Sequence, residues 1–229
     1  MQQTSLNLIA IGVFTMTLSS LLGPLFNISP AIPAIATFGL LSIATLDTLS
    51  WQGKGVTLLL DWLAGASPEY RDRIIRHEAG HFLVAYLLDI PITNYSLTAW
   101  EAFKQKQPGQ GGVTFADAEL TSPLSPILIQ RYSTVWMAGI AAETLVYGSA
   151  SGGADDRQKL QTVLATMGRP ASESLQQERF CTLQPKTLIQ EHWAAYEALV
   201  TAMAQRTPVA ECCQAIEQHR IGNIAEGRR

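Results

Sequence analysis

The sequence predicts a mainly α-helical chain, with an N-terminal transmembrane hairpin of two helices followed by a helical domain that carries a small β-sheet. Three observations predict it. Residues 1–46 contain no Asp, Glu, Lys, Arg or His, and every charged residue follows Leu46. Within that charge-free stretch, two apolar runs flank a break rich in Gly, Pro and Asn. Beyond it, apolar residues recur at helical spacing, and only two short stretches have the β-branched and aromatic content of strands. The boundaries read as 1–50 for the anchor, 51–66 for an interfacial linker and 67–229 for the domain. A chain of 229 residues holds one such domain and its anchor, but not two large domains.

The first apolar run, Leu8 to Phe26, has 19 residues and makes a helix of about 28 Å, close to the roughly 30 Å of a hydrocarbon core. Gly23-Pro24 and Asn27-Ile28-Ser29-Pro30 interrupt it, and a second run of 16 residues follows from Ala31 to Leu46. A cleaved signal peptide would carry basic residues ahead of its apolar run, and none are present. The other alternative, a pair of buried core helices, is weaker because the two runs lack even one charged face residue, whereas a soluble surface helix shows an amphipathic stripe. The first positive charges beyond the runs are Lys54, Arg71, Arg73 and Arg76. By the positive-inside tendency they put the domain on the cytoplasmic or stromal side. Val56 to Leu63, with Trp51 ahead of it and Trp62 within it, reads as an amphipathic segment at headgroup level or equally as ordinary core.

Ser67-Pro68-Glu69 supplies an N-cap, a first-turn proline and an early acid, so a helix is expected from Pro68 to Asp89, ended by Pro91. Ile92 to Ala99 and Gly111 to Phe115 are the two strand candidates. Pro126 opens a long apolar helix to Val146, and a glycine-rich turn runs from Gly148 to Gly153. Further helices are expected at Asp155 to Met167, Lys186 to Gln205 and Val209 to Gln218.

The charge balance, 16 Lys+Arg against 19 Asp+Glu, offers no basic field for a phosphate backbone, which argues against nucleic acid as a partner. Three cysteines, Cys181, Cys212 and Cys213, are an odd number without CxxC spacing. They read as reduced thiols rather than as a disulfide framework or a cysteine metal site.

Chemistry concentrates at His77-Glu78-Ala79-Gly80-His81. An HExxH sequence inside a helix sets two imidazoles at i and i+4, within reach of one ion. With 4 histidines and 12 glutamates in the chain, shuffling would produce the motif only roughly 0.004 times. Zinc takes about three protein ligands and leaves a position for water. Glu78, beside the first ligand, can accept that water's proton and pass it to a leaving amine. No third histidine follows in the HExxHxxGxxH register, because Phe82-Leu83-Val84-Ala85-Tyr86 comes next. The third ligand therefore lies elsewhere. His192, His219, Glu143, Asp155 and Asp156 are the candidates, with helix capping as the alternative role for Asp155 and Asp156.

HEAGHFLVAYLL, then AGIAAETLVYG at Ala138 to Gly148 and SGGADDRQKL at Ser151 to Leu160, together resemble the peptidase domain of the FtsH-type ATP-dependent zinc metalloproteases. The resemblance covers residues 68 to 205. It implies that the aspartate of a TGASND-like turn is the third ligand, which places that role on Asp156, with Asp155 in the Asn position. It puts Glu143 on the glutamate of a GGRAAE segment, as a residue behind the ligands or the runner-up ligand. It also implies a substrate-binding sheet edge, matched by Gly112 to Phe115. Two features depart from the family. Only about 20 residues separate Leu46 from the HExxH helix, and no GxxxxGK[ST] occurs anywhere, so the ATPase module is missing. Ile140 stands where the family has Arg. The nearest grouping is the ATPase-lacking, FtsH-protease-like membrane proteins of cyanobacteria and plastids.

The expected function is a membrane-anchored zinc metalloendopeptidase. Its expected partners are polypeptide substrates, membrane lipid, a separate ATPase or FtsH-type complex, and further copies of the chain. The alternative is a non-proteolytic zinc-binding assembly or scaffold factor derived from such a protease, which would bind zinc without turnover. An intramembrane protease ranks last, because Arg71 to Arg76 would be costly within a bilayer.

Overall fold

The computed structural model describes residues 2–27, 29, 31–51, 55, 58, 65, 67–105, 107, 112–116, 125–168 and 174–226. The chain divides into two compact units, residues 1–67 with 98–100, and residues 68–97 with 101–229. It is mainly helical, with one small two-stranded sheet.

In the first unit, both apolar runs are helices of 21 residues, α1 (Gln2–Leu22) and α2 (Ala31–Trp51). A 3-10 turn at Gly23–Phe26 separates them, with Pro24 in its first positions and Asn27 left-handed at φ 58°. The Thr37 hydroxyl meets the Met16 sulfur at 2.9 Å. Among the described residues, no helix is long and apolar enough to cross a membrane. The expected hairpin is therefore present as two helices, not as demonstrated membrane spans. Hydroxyl residues interspersed along the helices dilute their apolar content, and several turn back on their own backbone: Thr17 donates to Val13 O, Ser19 to Thr15 O and Thr45 to Leu41 O. The interfacial segment expected at Val56 to Leu63 lies, apart from Leu58, outside the described residues.

The remaining elements are α3 (Pro68–Leu87), β1 (Ile92–Ser96), α4 (Ala99–Lys104), β2 (Gly112–Phe115), α5 (Pro126–Tyr147), α6 (Ala154–Thr166), α7 (Ser174–Glu191), α8 (Trp193–Ala204) and α9 (Val209–Glu226). Helix α3 is central, packed between α5 and α8. Helix α7 covers α5, and α9 covers α8. Phe82 and Leu83 of α3, Met137 of α5, Tyr196, Leu199 and Met203 of α8 and Ile216 of α9 are fully buried and form the core. Helices α3 and α5 approach very closely at Gly80, where a Cβ would lie 2.7 Å from the Ala138 carbonyl oxygen and 2.8 Å from the Ala142 methyl. Any side chain there would push the two helices apart. The strands are antiparallel, with Tyr95 opposite Val113 and Ser96 opposite Gly112. Phe82 meets Tyr95 edge to face and ties the sheet to α3.

Three boundaries depart from the sequence reading. The first strand ends at Ser96, because Ala99–Lys104 is helical and the Glu101 carboxylate accepts the Leu97 N–H at 2.7 Å. The single helix expected from Lys186 to Gln205 is two helices that break at His192, whose φ −113° and ψ 35° are not helical. The first of them begins at Ser174, ahead of the expected Lys186, and runs through Pro185. Finally, α9 extends beyond Gln218 to Glu226.

Candidate metal centre

Helix α3 presents His77 and His81 one turn apart, both buried, with ring centroids 4.7 Å from each other. The first turn of α6 brings the buried Asp156 against them. Its Oδ2 lies 3.2 Å from His77 Nε2 and 3.4 Å from His81 Nε2. These three are the one group of His, Cys, Asp and Glu side chains among the described residues arranged to hold a metal ion. Of the five third-ligand candidates, Asp156 alone joins the histidines in that group. Asp155 is exposed, His219 bonds to the Ala215 carbonyl of its own helix, and His192 sits at the α7–α8 break.

The rings are oriented from behind. His81 Nδ1 is 2.7 Å from the Val135 carbonyl oxygen. A carbonyl only accepts, so Nδ1 carries a hydrogen and Nε2 is the nitrogen that faces Asp156. His77 Nδ1 meets Glu143 Oε1 at 2.8 Å, which leaves its Nε2 facing Asp156 in the same way. Two Nε2 atoms and a carboxylate oxygen converge on one point, which suits a cation once both nitrogens are deprotonated, and carboxylate or carbonyl partners behind each imidazole are the usual support of metal-ligating histidines.

Electrostatics agree with that arrangement in the metal-free protein. Burial works to neutralise the His77 ring, but the hydrogen bonds to Asp156 and Glu143 outweigh it and push its pKa up to about 10. For Asp156, burial opposes ionisation, yet the His81 charge and the hydrogen bond with His77 hold its carboxyl well below the usual range. Glu143 is likewise opposed by burial. Hydrogen bonds from His77 and the Ser151 N–H bring its carboxyl down to about 2. Protons offset the carboxylates where a divalent cation can take their place.

Glycines make room for this cluster. A Cβ at Gly139 of α5 would sit 2.3 Å from His77 Nε2, and one at Gly152 would sit 2.7 Å from Glu143 Oε1. The Gly152 N–H and the Ser151 N–H both donate to Glu143, at 3.2 and 2.9 Å. Glu143 thus occupies the layer behind the ligands rather than a ligand position.

Glu78 stands apart from the three ligands. Its Oε2 accepts the Val113 N–H of β2 at 3.2 Å. Arg73 and Arg76, which the sequence offers only as charges bearing on membrane topology, belong to the surroundings of the site. Both are largely buried and paired, Arg73 with Glu143 at 3.3 Å and Arg76 with Glu197 at 2.7 Å. Their i, i+4 and i+1 spacing before His77 was visible, but their partners lie 70 and 121 residues away. No protein-family model matches the sequence, and no curated protein matches it.

Proposed function

We propose that this chain is a zinc metalloendopeptidase of the FtsH-protease-like kind, anchored to a membrane by α1 and α2 and lacking an ATPase of its own. The observation that carries this reading is the division of labour on α3. His77 and His81 face Asp156, while Glu78, between them in sequence, is left outside that cluster with its carboxylate at the edge of β2.

A tetrahedral zinc ion with bonds of about 2.0–2.1 Å has ligand–ligand edges of about 3.3 Å. The Asp156–histidine separations of 3.2 and 3.4 Å fit that size. Zinc held there supplies Lewis acidity, lowering a water's pKa toward neutrality and polarising a peptide carbonyl. The protein's own part is positional. Glu143 and Val135 fix the two rings, and Glu78 takes the attacking water's proton and delivers it to the leaving amine. Among the described residues β2 pairs only with β1, so its other edge can accept an extended polypeptide by strand addition. That edge carries the Val113 N–H and faces Glu78. Flexible or unfolded polypeptides are the matching substrate class, delivered by a separate ATPase or arriving already unfolded.

Two observations support the anchor. Large apolar side chains are exposed along both N-terminal helices, among them Phe14, Leu21, Ile35, Phe38, Leu41 and Leu46. The hydroxyls of Thr17, Ser19 and Thr45 are satisfied by carbonyls of their own helix, as a lipid environment requires.

The test is cleavage of casein by the full chain in detergent, with Glu78→Gln alongside. The reading predicts that the variant keeps its zinc and loses at least about 100-fold in rate, the usual scale for a missing general base. Zinc retained with no cleavage by the unmodified chain, with or without an added ATPase, would turn the assignment to a non-proteolytic zinc protein.

A further inference from the structure

We propose that Arg73 is a positioning residue for the metal centre, acting through Glu143 on His77 and on the turn that leads to Asp156. The inference rests on the metal-binding part of the reading above and is independent of peptide hydrolysis.

Arg73 lies one helical turn before His77 on the same face of α3. Its Nη1 donates to Glu143 Oε2 at 3.3 Å and to the Ser151 hydroxyl at 3.2 Å. Its guanidinium carbon stands 4.1 Å from the centre of the Tyr147 ring, and the Tyr147 hydroxyl donates to Asp72. Arg73 also pairs with Glu69, at 3.8 Å and largely exposed, a pair of little energetic weight. The guanidinium is thus held by a stacked ring on one side and aimed at one buried carboxylate.

That carboxylate joins three elements. Glu143 belongs to α5, takes the His77 Nδ1 hydrogen from α3, and accepts the backbone N–H groups of Ser151 and Gly152. The chain runs from that turn directly into α6, whose first turn carries Asp156. Glu143 therefore sets the position of two of the three ligands at once. Its side chain is only 3% exposed, and a buried carboxylate needs a fixed counter-charge. Arg73 is the permanent cation in contact with Glu143. It pins the carboxylate in place, and so holds the His77 ring and the Ser151–Gly152 turn where the ligand geometry needs them. Its planar fork and stacking surface suit this role better than a lysine ammonium would.

Zinc affinity by chelator competition and the visible absorption of the cobalt-substituted full chain read this role without any cleavage assay. Arg73→Met should weaken zinc binding by about 10- to 100-fold and shift the cobalt bands, as loss of support behind a metal ligand typically does. Arg73→Lys, which keeps the charge but neither the fork nor the stacking surface, should recover only part of that loss. In a Glu143→Gln background, Arg73→Met should change affinity by less than about threefold, because the partner it acts through no longer carries charge. Arg73→Gln, which retains a donor, serves if the methionine variant does not fold. Wild-type affinity and an unshifted cobalt spectrum in a folded Arg73 variant would overturn the proposal. So would an equal loss in the Glu143→Gln background. Failure of the unmodified chain to bind zinc would instead defeat the metal centre itself.

Discussion

Replacing Gly139 by alanine tests how tightly the site is built. In an ordinary helix this change is favourable by about 1 kcal/mol. Here the new methyl would lie 2.3 Å from His77 Nε2, 2.5 Å from Cδ2 and 2.6 Å from Cε1. Ordinary contact begins near 3.4 Å, so the ring must retreat by about 1.1 Å. It has nowhere to go, since Nδ1 is tied to Glu143 at 2.8 Å and Nε2 faces Asp156 at 3.2 Å. Metal sites tolerate ligand displacements of only about 0.2 Å. A shift five times larger should cost at least about 100-fold in metal affinity, beyond the upper end of losses seen when a residue behind the ligand is removed. The assay is zinc competition with a chromophoric chelator, with far-UV circular dichroism as the control for folding. A folded Gly139→Ala protein that binds zinc as the unmodified chain does would refute the placement of His77 against α5.

Other outcomes follow from the same geometry. Because the His77 pKa in the metal-free protein is raised from 6.5 to about 10, metal binding at neutral pH should release about one proton, and affinity should rise roughly tenfold per pH unit up to about pH 10. Calorimetry in buffers of different ionisation enthalpy measures that proton. The same raised value means that the stabilisation from protonated His77 is complete below pH 6.5 and fades as pH climbs through about 10; urea melts of the metal-free protein across that range should show the decline. Gly112→Ala should impair cleavage while sparing zinc, since Gly112 has φ 123° and its Cβ would crowd Glu78 Oε2 at 3.2 Å, away from the metal ligands. Leu83→Ala, in the fully buried core of α3, should cost about 2–5 kcal/mol of stability by urea denaturation.

The parts of this molecule legible in its sequence are those with local signals. Pro68 and Glu69 mark the start of α3, Pro126 that of α5, and the HExxH spacing alone puts His77 and His81 on one face. Asp156 was not legible from spacing, because five acidic or histidine candidates satisfied the same requirement; only the turn that Glu143 holds through Ser151 and Gly152 brings it to the histidines. The short helix α4 had a signal that went unused, since Thr98-Ala99-Trp100-Glu101 has capping-box spacing. Pro185 shows how far packing can override a local signal. It is fully buried and lies inside α7, where tertiary packing outweighs a local preference that would start a helix there. The role of Arg73 was not legible because nothing nearby in sequence indicates Glu143, 70 residues on.

Zinc stoichiometry in the purified full chain, compared between Asp156→Asn and Asp155→Asn, tests the central claim most directly. Adjacent in sequence, the two aspartates differ in that one faces both histidines while the other is exposed. One zinc per chain in the unmodified protein and in Asp155→Asn, with zinc lost from Asp156→Asn, is the predicted result. Zinc retained at unchanged affinity in Asp156→Asn, or no zinc in the unmodified chain, would contradict it.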